Sequence, residues 1–464
     1  MAGIGFRLNK YFSDDSSVSR VKGAFYSIVL SSGPWLISIL SIAIISLYAR
    51  QWLVGKELLV FKSIISYTYA GSLILFGMIE LPLTRYISDK IYHYDVSTFR
   101  RVFFTVISIC VASGAVLGYL FYYFVPIDLY AKVGGVLFLI SVLSTWVGMV
   151  FLSAAKGYGK IIASFVGGGI LSLVFSTILG KSFGLTGFIF GYALGIWVLA
   201  LSLSILVYVE FSGKEYTTHE LGGYFLKGKV LIGIGMFYYM GIWVDKLIFW
   251  YSSIGVQIVG PFYTNPYYDT AMFLAYLSII PSLAIFLVKV ETSFYTYYNF
   301  YFKSIEQKKS LPFLEEASRT IGEKLQETFG MMLKIQTFVS IMCWYFMPKI
   351  LSVFYLSPLI ESPLRYGIIG AYLQVMFLVM NILSLYFRDE HSVFWSYFLF
   401  FVSNALLTTV SLKFGYRFHG LGYVISCFLT LLLSYFNLNR RLKNLNYYTF
   451  MEQPISMKWI SGLK

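Results

Sequence analysis

Long apolar runs, each broken by a short polar or basic link, recur along almost the whole chain. Twelve reach about the 20 residues that a helix needs to cross a bilayer. They cover residues 23–48, 59–81, 102–124, 133–154, 161–181, 184–209, 230–253, 268–289, 330–348, 365–387, 393–412 and 420–438. The runs are continuously apolar, whereas the strands of a membrane barrel alternate over about ten residues, so the pattern predicts helices. The expected fold is an all-α polytopic membrane protein of about 12 transmembrane helices.

A trace of internal repetition suggests how the helices are grouped. "KSFGLTGFIFGYALG" enters span 6 much as "YRFHGLGYVISCFLT" enters span 12, with Gly187 matching Gly422. Chance likeness between two glycine-bearing apolar segments is the rival explanation. The simplest reading is two pseudo-symmetric six-helix lobes, 23–209 and 230–438, joined by a cytoplasmic connection at 210–229. Residues 1–22 and 439–464 are then the cytoplasmic ends.

Connections on the other side are short. The longest, "IGVQIVGPFYTNPY" at 254–267, contains no charged residue. The longest internal connection, 290–329, has an aromatic part, "TSFYTYYNFYF", and a charged part in which Leu314, Ile321, Leu325 and Phe329 recur at helical spacing. That periodicity predicts a cytoplasmic amphipathic helix, lying along the membrane surface or docking a partner.

Composition agrees with the pattern, since 58% of residues are hydrophobic and only 12% charged. A net charge of +14 raises nucleic-acid binding as a function, but the placement of the charge argues against it. With the N-terminus in the cytoplasm, 26 of the 36 Lys and Arg fall on the cytoplasmic side, nine on or beside the other face, and Lys246 within a span. This is the positive-inside bias, so both ends are expected in the cytoplasm. Cys110, Cys343 and Cys427 each lie inside a span with no metal-ligand spacing, and neither a metal nor a cofactor is expected.

Ionisable residues within the spans are the candidates for function. Asp245 and Lys246 adjoin inside "GIWVDKLIFW". Each charge costs roughly 2.5–3.5 kcal/mol at mid-membrane, so both are expected to face protein or a wet cavity. Neighbours on a helix project about 100° apart, which makes the two poor partners for each other. An ion pair with another helix and the polar wall or latch of a substrate path are both open readings. Glu80 and Arg85 flank Pro82 at the end of span 2, where the proline is expected to kink or end the helix, and Glu291 follows span 8. Gly33, Pro34 and Pro281 are further candidates for bends.

Enzyme readings find little support. No GxxxxGK[ST] phosphate loop is present, His93, His219, His391 and His419 are scattered at span ends or in connections, and the first external loop offers only Glu57 as an acid. Aromatic residues make up 20% of the chain. Interfacial anchoring accounts for most of them, although "PFYTNPYY" and "FYTYYNFYF" are dense enough to suit the flat faces of sugars.

Five stretches in order, "MAGIGFRLNK", "SSGPWLIS", "LTRYISDKIY", "GIWVDKLIFW" and "VKVETSFYTYY", resemble the PelG family of inner-membrane Pel exopolysaccharide transporters. The resemblance runs to about residue 440, and the tail "FMEQPISMKWISGLK" lies outside it. It implies a non-enzymatic member of the multidrug, oligosaccharidyl-lipid and polysaccharide exporter superfamily. The cargo would be a polymer rich in N-acetylgalactosamine and galactosamine, delivered by a cytoplasmic glycosyltransferase, with membrane partners resembling PelD and PelE. By motif match Asp245, Lys246 and Glu291 are the positions carried over, whereas Glu80 and Arg85 rest on placement alone. A flippase for lipid-linked oligosaccharide and an ion-coupled small-molecule exporter are the alternative functions.

Overall fold

The structure, a computed structural model, describes residues 37–93, 95–154, 158–211, 219–290 and 294–451. The first half of the chain forms α1 (Ile37–Ala49), α2 (Glu57–Tyr92), α3 (Phe99–Tyr123), α4 (Leu129–Ala154) and α5 (Tyr158–Glu210). A short α6 (His219–Lys227) leads into α7 (Lys229–Tyr251), a hairpin of β1 (Val256–Val259) and β2 (Phe262–Thr264), α8 (Pro266–Leu277) and α9 (Ile280–Lys289). Then follow α10 (Tyr295–Glu306), α11 (Leu311–Val353), α12 (Glu361–Tyr386), α13 (Glu390–Lys413), α14 (Leu421–Lys443) and α15 (Leu445–Met451).

Ten helical segments among the described residues, with α8 and α9 taken together as one, are long and apolar enough to cross a membrane. They hold predicted spans 2 to 12, because α5 contains two spans on either side of Gly184, whose φ of 58° breaks the helical path. α1 falls within predicted span 1. Gly33 and Pro34 lie outside the described residues. The repetition between spans 6 and 12 has a structural counterpart. A methyl group on Gly187 would meet the Leu179 carbonyl at 2.0 Å, and one on Gly422 would meet the backbone at Leu407 and Thr408 at 2.4 Å. Both glycines let a span return against its predecessor.

Apolar packing follows the two halves of the chain. One core gathers side chains from Ile45 to Leu221, and three others draw on residues from Leu231 to Leu445. Ile258 and Phe262 are the exceptions. They sit on the hairpin between α7 and α8 yet belong to the first-half core.

The two prolines behave differently. α2 continues past Pro82 to Tyr92, so the expected end of the helix there is not seen. At Pro281 the predicted single span is two helices, α8 and α9, with the proline in the first turn of α9, where its missing N–H costs little. The break exposes backbone, and α11 covers it. Gln336 donates to the Ser278 carbonyl at 3.2 Å and accepts from the Ser282 hydroxyl at 2.6 Å. Irregular backbone at membrane depth needs such internal partners.

The amphipathic segment forms the start of α11, a single helix of 43 residues that runs on into the ninth span. Leu314, Ala317, Ile321 and Leu325 are buried in a core shared with Tyr301 of α10 and Leu445 of α15. The face carrying these residues is therefore occupied by protein.

Across the middle, α2 and α7 touch backbone to backbone. A methyl group on Gly235 would lie 1.9 Å from the Gly77 carbonyl oxygen, and one on Gly77 would lie 2.7 Å from that of Gly235. Small residues permit such approach in membranes. Gly235→Ala is therefore expected to force the halves apart and lower stability by at least the ~1–3 kcal/mol typical of overpacking. Thermal unfolding of the purified variant in detergent checks this. An unchanged midpoint would show that the contact is not tight.

Candidate translocation site

α7 brings the sequence candidates into two polar zones. In the first, Asp245 is 0% and Lys246 8% exposed, so neither faces lipid. They do pair with each other, at 3.3 Å, contrary to the expectation from their helical directions. The lysine stem folds back along the helix, which lets its ammonium reach both the Ile242 carbonyl at 2.8 Å and the preceding carboxylate. Tyr268 of α8 donates to the other Asp245 oxygen at 2.6 Å. The Trp243 and Tyr276 rings lie 5.7 and 5.2 Å from the ammonium. A buried pair persists only when its remaining donors and acceptors are satisfied, and here a carbonyl, a phenol and two aromatic faces do so.

The polar interior continues through the second half. Gln374 accepts from Tyr276 at 3.1 Å and from Tyr423, and Asn404 donates to the Gly241 carbonyl at 2.9 Å. Beyond Glu80, the first half relies on uncharged groups. Tyr69 and Tyr192 share a hydrogen bond of 3.2 Å, and Trp146 donates to Ser72 at 3.3 Å.

In the second zone, the halves meet through side chains of α2. Glu80 accepts from Tyr239 of α7 at 2.9 Å. Arg85 forms an ion pair with Glu390 of α13 at 2.9 Å and lies 3.7 Å from Asp89. Arg85, Asp89 and Glu390 border a cavity of about 760 Å³ that opens on the face carrying the basic helix ends. Its wall includes Pro82, Arg85, Asp89, Lys90, Tyr224, Lys227 and Glu390, so both halves contribute. Lys90 binds Asp95 at 2.8 Å. That bond, helped by Ser97, holds the Asp95 carboxyl down at about 2. A depressed carboxyl stabilises the fold above its unfolded value of about 4 and loses that contribution as pH falls towards 2, so the clasp is intact near neutrality.

Towards the opposite end of α7 the hairpin bridges the two halves. Gly260 takes a φ of 51° in the Gly260-Pro261 turn, which a primed hairpin turn requires. The hairpin then lies over the first half. Phe262 is 0% exposed, its ring centroid 5.7 Å from that of Phe121 and 5.0 Å from that of Tyr67. Burying Ile258 and Phe262 contributes roughly 3–6 kcal/mol, at about 1.5–3 kcal/mol for each large apolar side chain.

Sequence reasoning missed Tyr268, Glu390 and Tyr67. Asp269, bonded to Trp250 at 2.8 and 2.9 Å, did carry a signal, as the one acid in "NPYYDTAM". Glu291 lies outside the described residues. Among the described residues no three His, Cys, Asp or Glu gather closely enough to hold a metal ion. Hydrogen-bonding side chains, aromatic rings and a two-sided cavity suit holding and passing a ligand.

Removing one member of the buried pair leaves the other uncompensated. Lys246→Met is expected to cost about 3–5 kcal/mol, and adding Asp245→Asn to recover much of the loss. Thermal unfolding of the single and double variants measures both. A double variant no more stable than Lys246→Met would show that the two charges do not stabilise each other.

Solved transporter structures share this architecture. An outward-facing MATE-family multidrug transporter of the MOP superfamily is 13% identical with a TM-score of 0.59, over 91% of this chain and 96% of the other. The inward-facing conformation of a MATE-family transporter is 12% identical and also scores 0.59, over 92% and 96%. A MOP superfamily transporter from Pyrococcus furiosus, described as having a binding pocket of reverse polarity, scores 0.63 at 13% identity over 90% and 96%. At these identities the likeness establishes the fold. Outward- and inward-facing forms score alike, so it does not select a conformation. No protein of curated function matches the chain. A family model described as "PelG: Putative exopolysaccharide Exporter (EPS-E)" matches residues 1–450. Because that match covers nearly the entire sequence, the chain belongs to the PelG family of exopolysaccharide exporters, which are transporters and not enzymes.

Proposed function

We propose that this protein moves a Pel-like exopolysaccharide, rich in N-acetylgalactosamine and galactosamine, across the inner membrane. A cytoplasmic glycosyltransferase feeds the polymer in, and membrane partners resembling PelD and PelE assemble around the transporter. The basic face and both termini are cytoplasmic, in keeping with the positive-inside bias. Two lobes enclose the route, which starts at the cavity beside Arg85 and passes Glu80.

The observation that carries this reading is the charge balance of that cavity. Arg85, Lys90 and Lys227 are matched by Asp89, Asp95 and Glu390, with Tyr224 beside them. A site built for a diphosphate or a polyanion would hold an excess of cations, whereas a mosaic of paired charges and hydroxyls can replace water around a neutral or weakly charged sugar. The volume falls in the ~300–1,000 Å³ range of ligand sites.

Deleting the gene in its native host and analysing the secreted glycan tests the proposal. A galactosamine-rich polymer should disappear from the medium and return with the wild-type gene. Arg85→Glu should lower secretion, and Arg85→Glu with Glu390→Arg should restore most of it, since the partly exposed pair contributes up to ~1 kcal/mol. An unchanged secreted glycan in the deletion strain would refute the cargo assignment.

A further inference from the structure

The buried charge pair and the hairpin are joined by a continuous set of contacts that crosses from one half to the other. Asp245 accepts from the Tyr268 hydroxyl at 2.6 Å. Tyr268 lies in the first turn of α8, where its amide is capped by the Asn265 side chain at 3.1 Å. Its ring stacks on Phe249 of α7 at 3.8 Å. The start of α8, and with it the end of β2 at Thr264, is thus fixed against α7 by one hydrogen bond and one ring contact.

Asp269, the next residue, completes the anchor. It accepts from Trp250 through both oxygens and from the Thr264 hydroxyl at 2.9 Å. The Trp250 ring stacks on Tyr67 of α2 with centroids 4.7 Å apart and planes inclined by 26°. The Tyr67 hydroxyl donates to the Tyr263 carbonyl at 3.0 Å and accepts from the Tyr263 amide at 3.1 Å. One first-half side chain thereby replaces a strand partner for the hairpin.

We propose that the β1–β2 hairpin is the exit latch between the halves, and that Asp245, as a positioning residue acting through Tyr268 and Asp269, sets it closed. While Ile258 and Phe262 occupy the first-half core, the hairpin ties the halves together on that face. Opening therefore requires the hairpin to withdraw from Tyr67. The second-half anchor beside Lys246 holds the hairpin in the position from which it reaches Tyr67. This inference holds whatever the cargo, so its failure and that of the glycan assignment are separate events.

Thiol labelling from the non-basic face tests it. With Cys110, Cys343 and Cys427 replaced by alanine, a cysteine is placed at Ile258 in the hairpin or, as a control, at Leu53, another buried first-half core position. Sealed vesicles exposing the hairpin face receive a membrane-impermeant maleimide. The Ile258→Cys protein should label slowly, and Tyr67→Ala should accelerate it at least tenfold. Tyr268→Phe, which removes only a hydroxyl and keeps the ring contact, and Asp245→Asn should each accelerate it about tenfold, with Leu53→Cys unchanged.

If Tyr67→Ala leaves the Ile258→Cys rate unaltered, the hairpin is not a latch. If Tyr67→Ala accelerates it but Tyr268→Phe and Asp245→Asn do not, Asp245 does not set the latch. Equal acceleration at Leu53→Cys and Ile258→Cys signifies general loosening of the fold and also overturns the positioning role.

Discussion

The contact of α2 with α7 through Gly77 and Gly235 is the constraint around which the molecule is organised. The two backbones meet with no side chain between them. In hydrocarbon no hydrophobic force drives helices together, so such close packing of bare backbone is what holds an interface. Tyr239 lies over the contact and reaches Glu80, which ties the glycine seam to the polar zone beside it. Towards one face the halves are locked by the hairpin, and towards the other they part around the cavity.

The two halves satisfy their interiors by different chemistry. Apart from Glu80, the first relies on phenols, hydroxyls and an indole, such as Tyr69 with Tyr192 and Trp146 with Ser72. The second adds a full charge of each sign. A lone charge there would be costly, and pairing alone seldom recovers the cost. Asp245 and Lys246 succeed because Tyr268, the Ile242 carbonyl and two aromatic rings complete the set. The pair is thus neutral overall, shielded from lipid, and attached directly to the helix start that carries the hairpin.

Much of this could be read from the chain, and the remainder has definite physical reasons for escaping. Continuous apolar runs locate spans because bilayer thickness sets a length that needs no partner to define it. The inward placement of Asp245 and Lys246 follows from the same solvent argument. Their mutual bond does not, because average side-chain directions ignore the reach of a four-carbon stem. Glu390 as the partner of Arg85 lies 305 positions away, and no local pattern records such a pairing. The 254–267 connection was legible only as an uncharged link, because its pairing as a hairpin is fixed by the first-half pocket that receives Phe262, which is assembled from α2 and α3. Periodicity picked out Leu314, Ile321 and Leu325, which are buried, whereas what covers them comes from flanking segments, Leu445 without a signal and Tyr301 from the aromatic stretch noted only for its ring density.

A polymer exporter meets a constraint that a small-molecule exporter avoids. Once a glycan is longer than the ~30 Å hydrocarbon core, it occupies both faces at once, and a gate cannot close behind it. Strict alternation between one open face and the other therefore cannot continue during threading. Under the proposed function, the conformation with the hairpin seated in the first-half core is the state before the leading end arrives, when sealing the membrane matters most. Entry of that end at the Arg85 cavity would have to be communicated across the glycine seam before the exit opens. α7 is the element placed to do so, since it bears Tyr239 beside Glu80, Asp245 beneath Tyr268, and Trp250 against Tyr67.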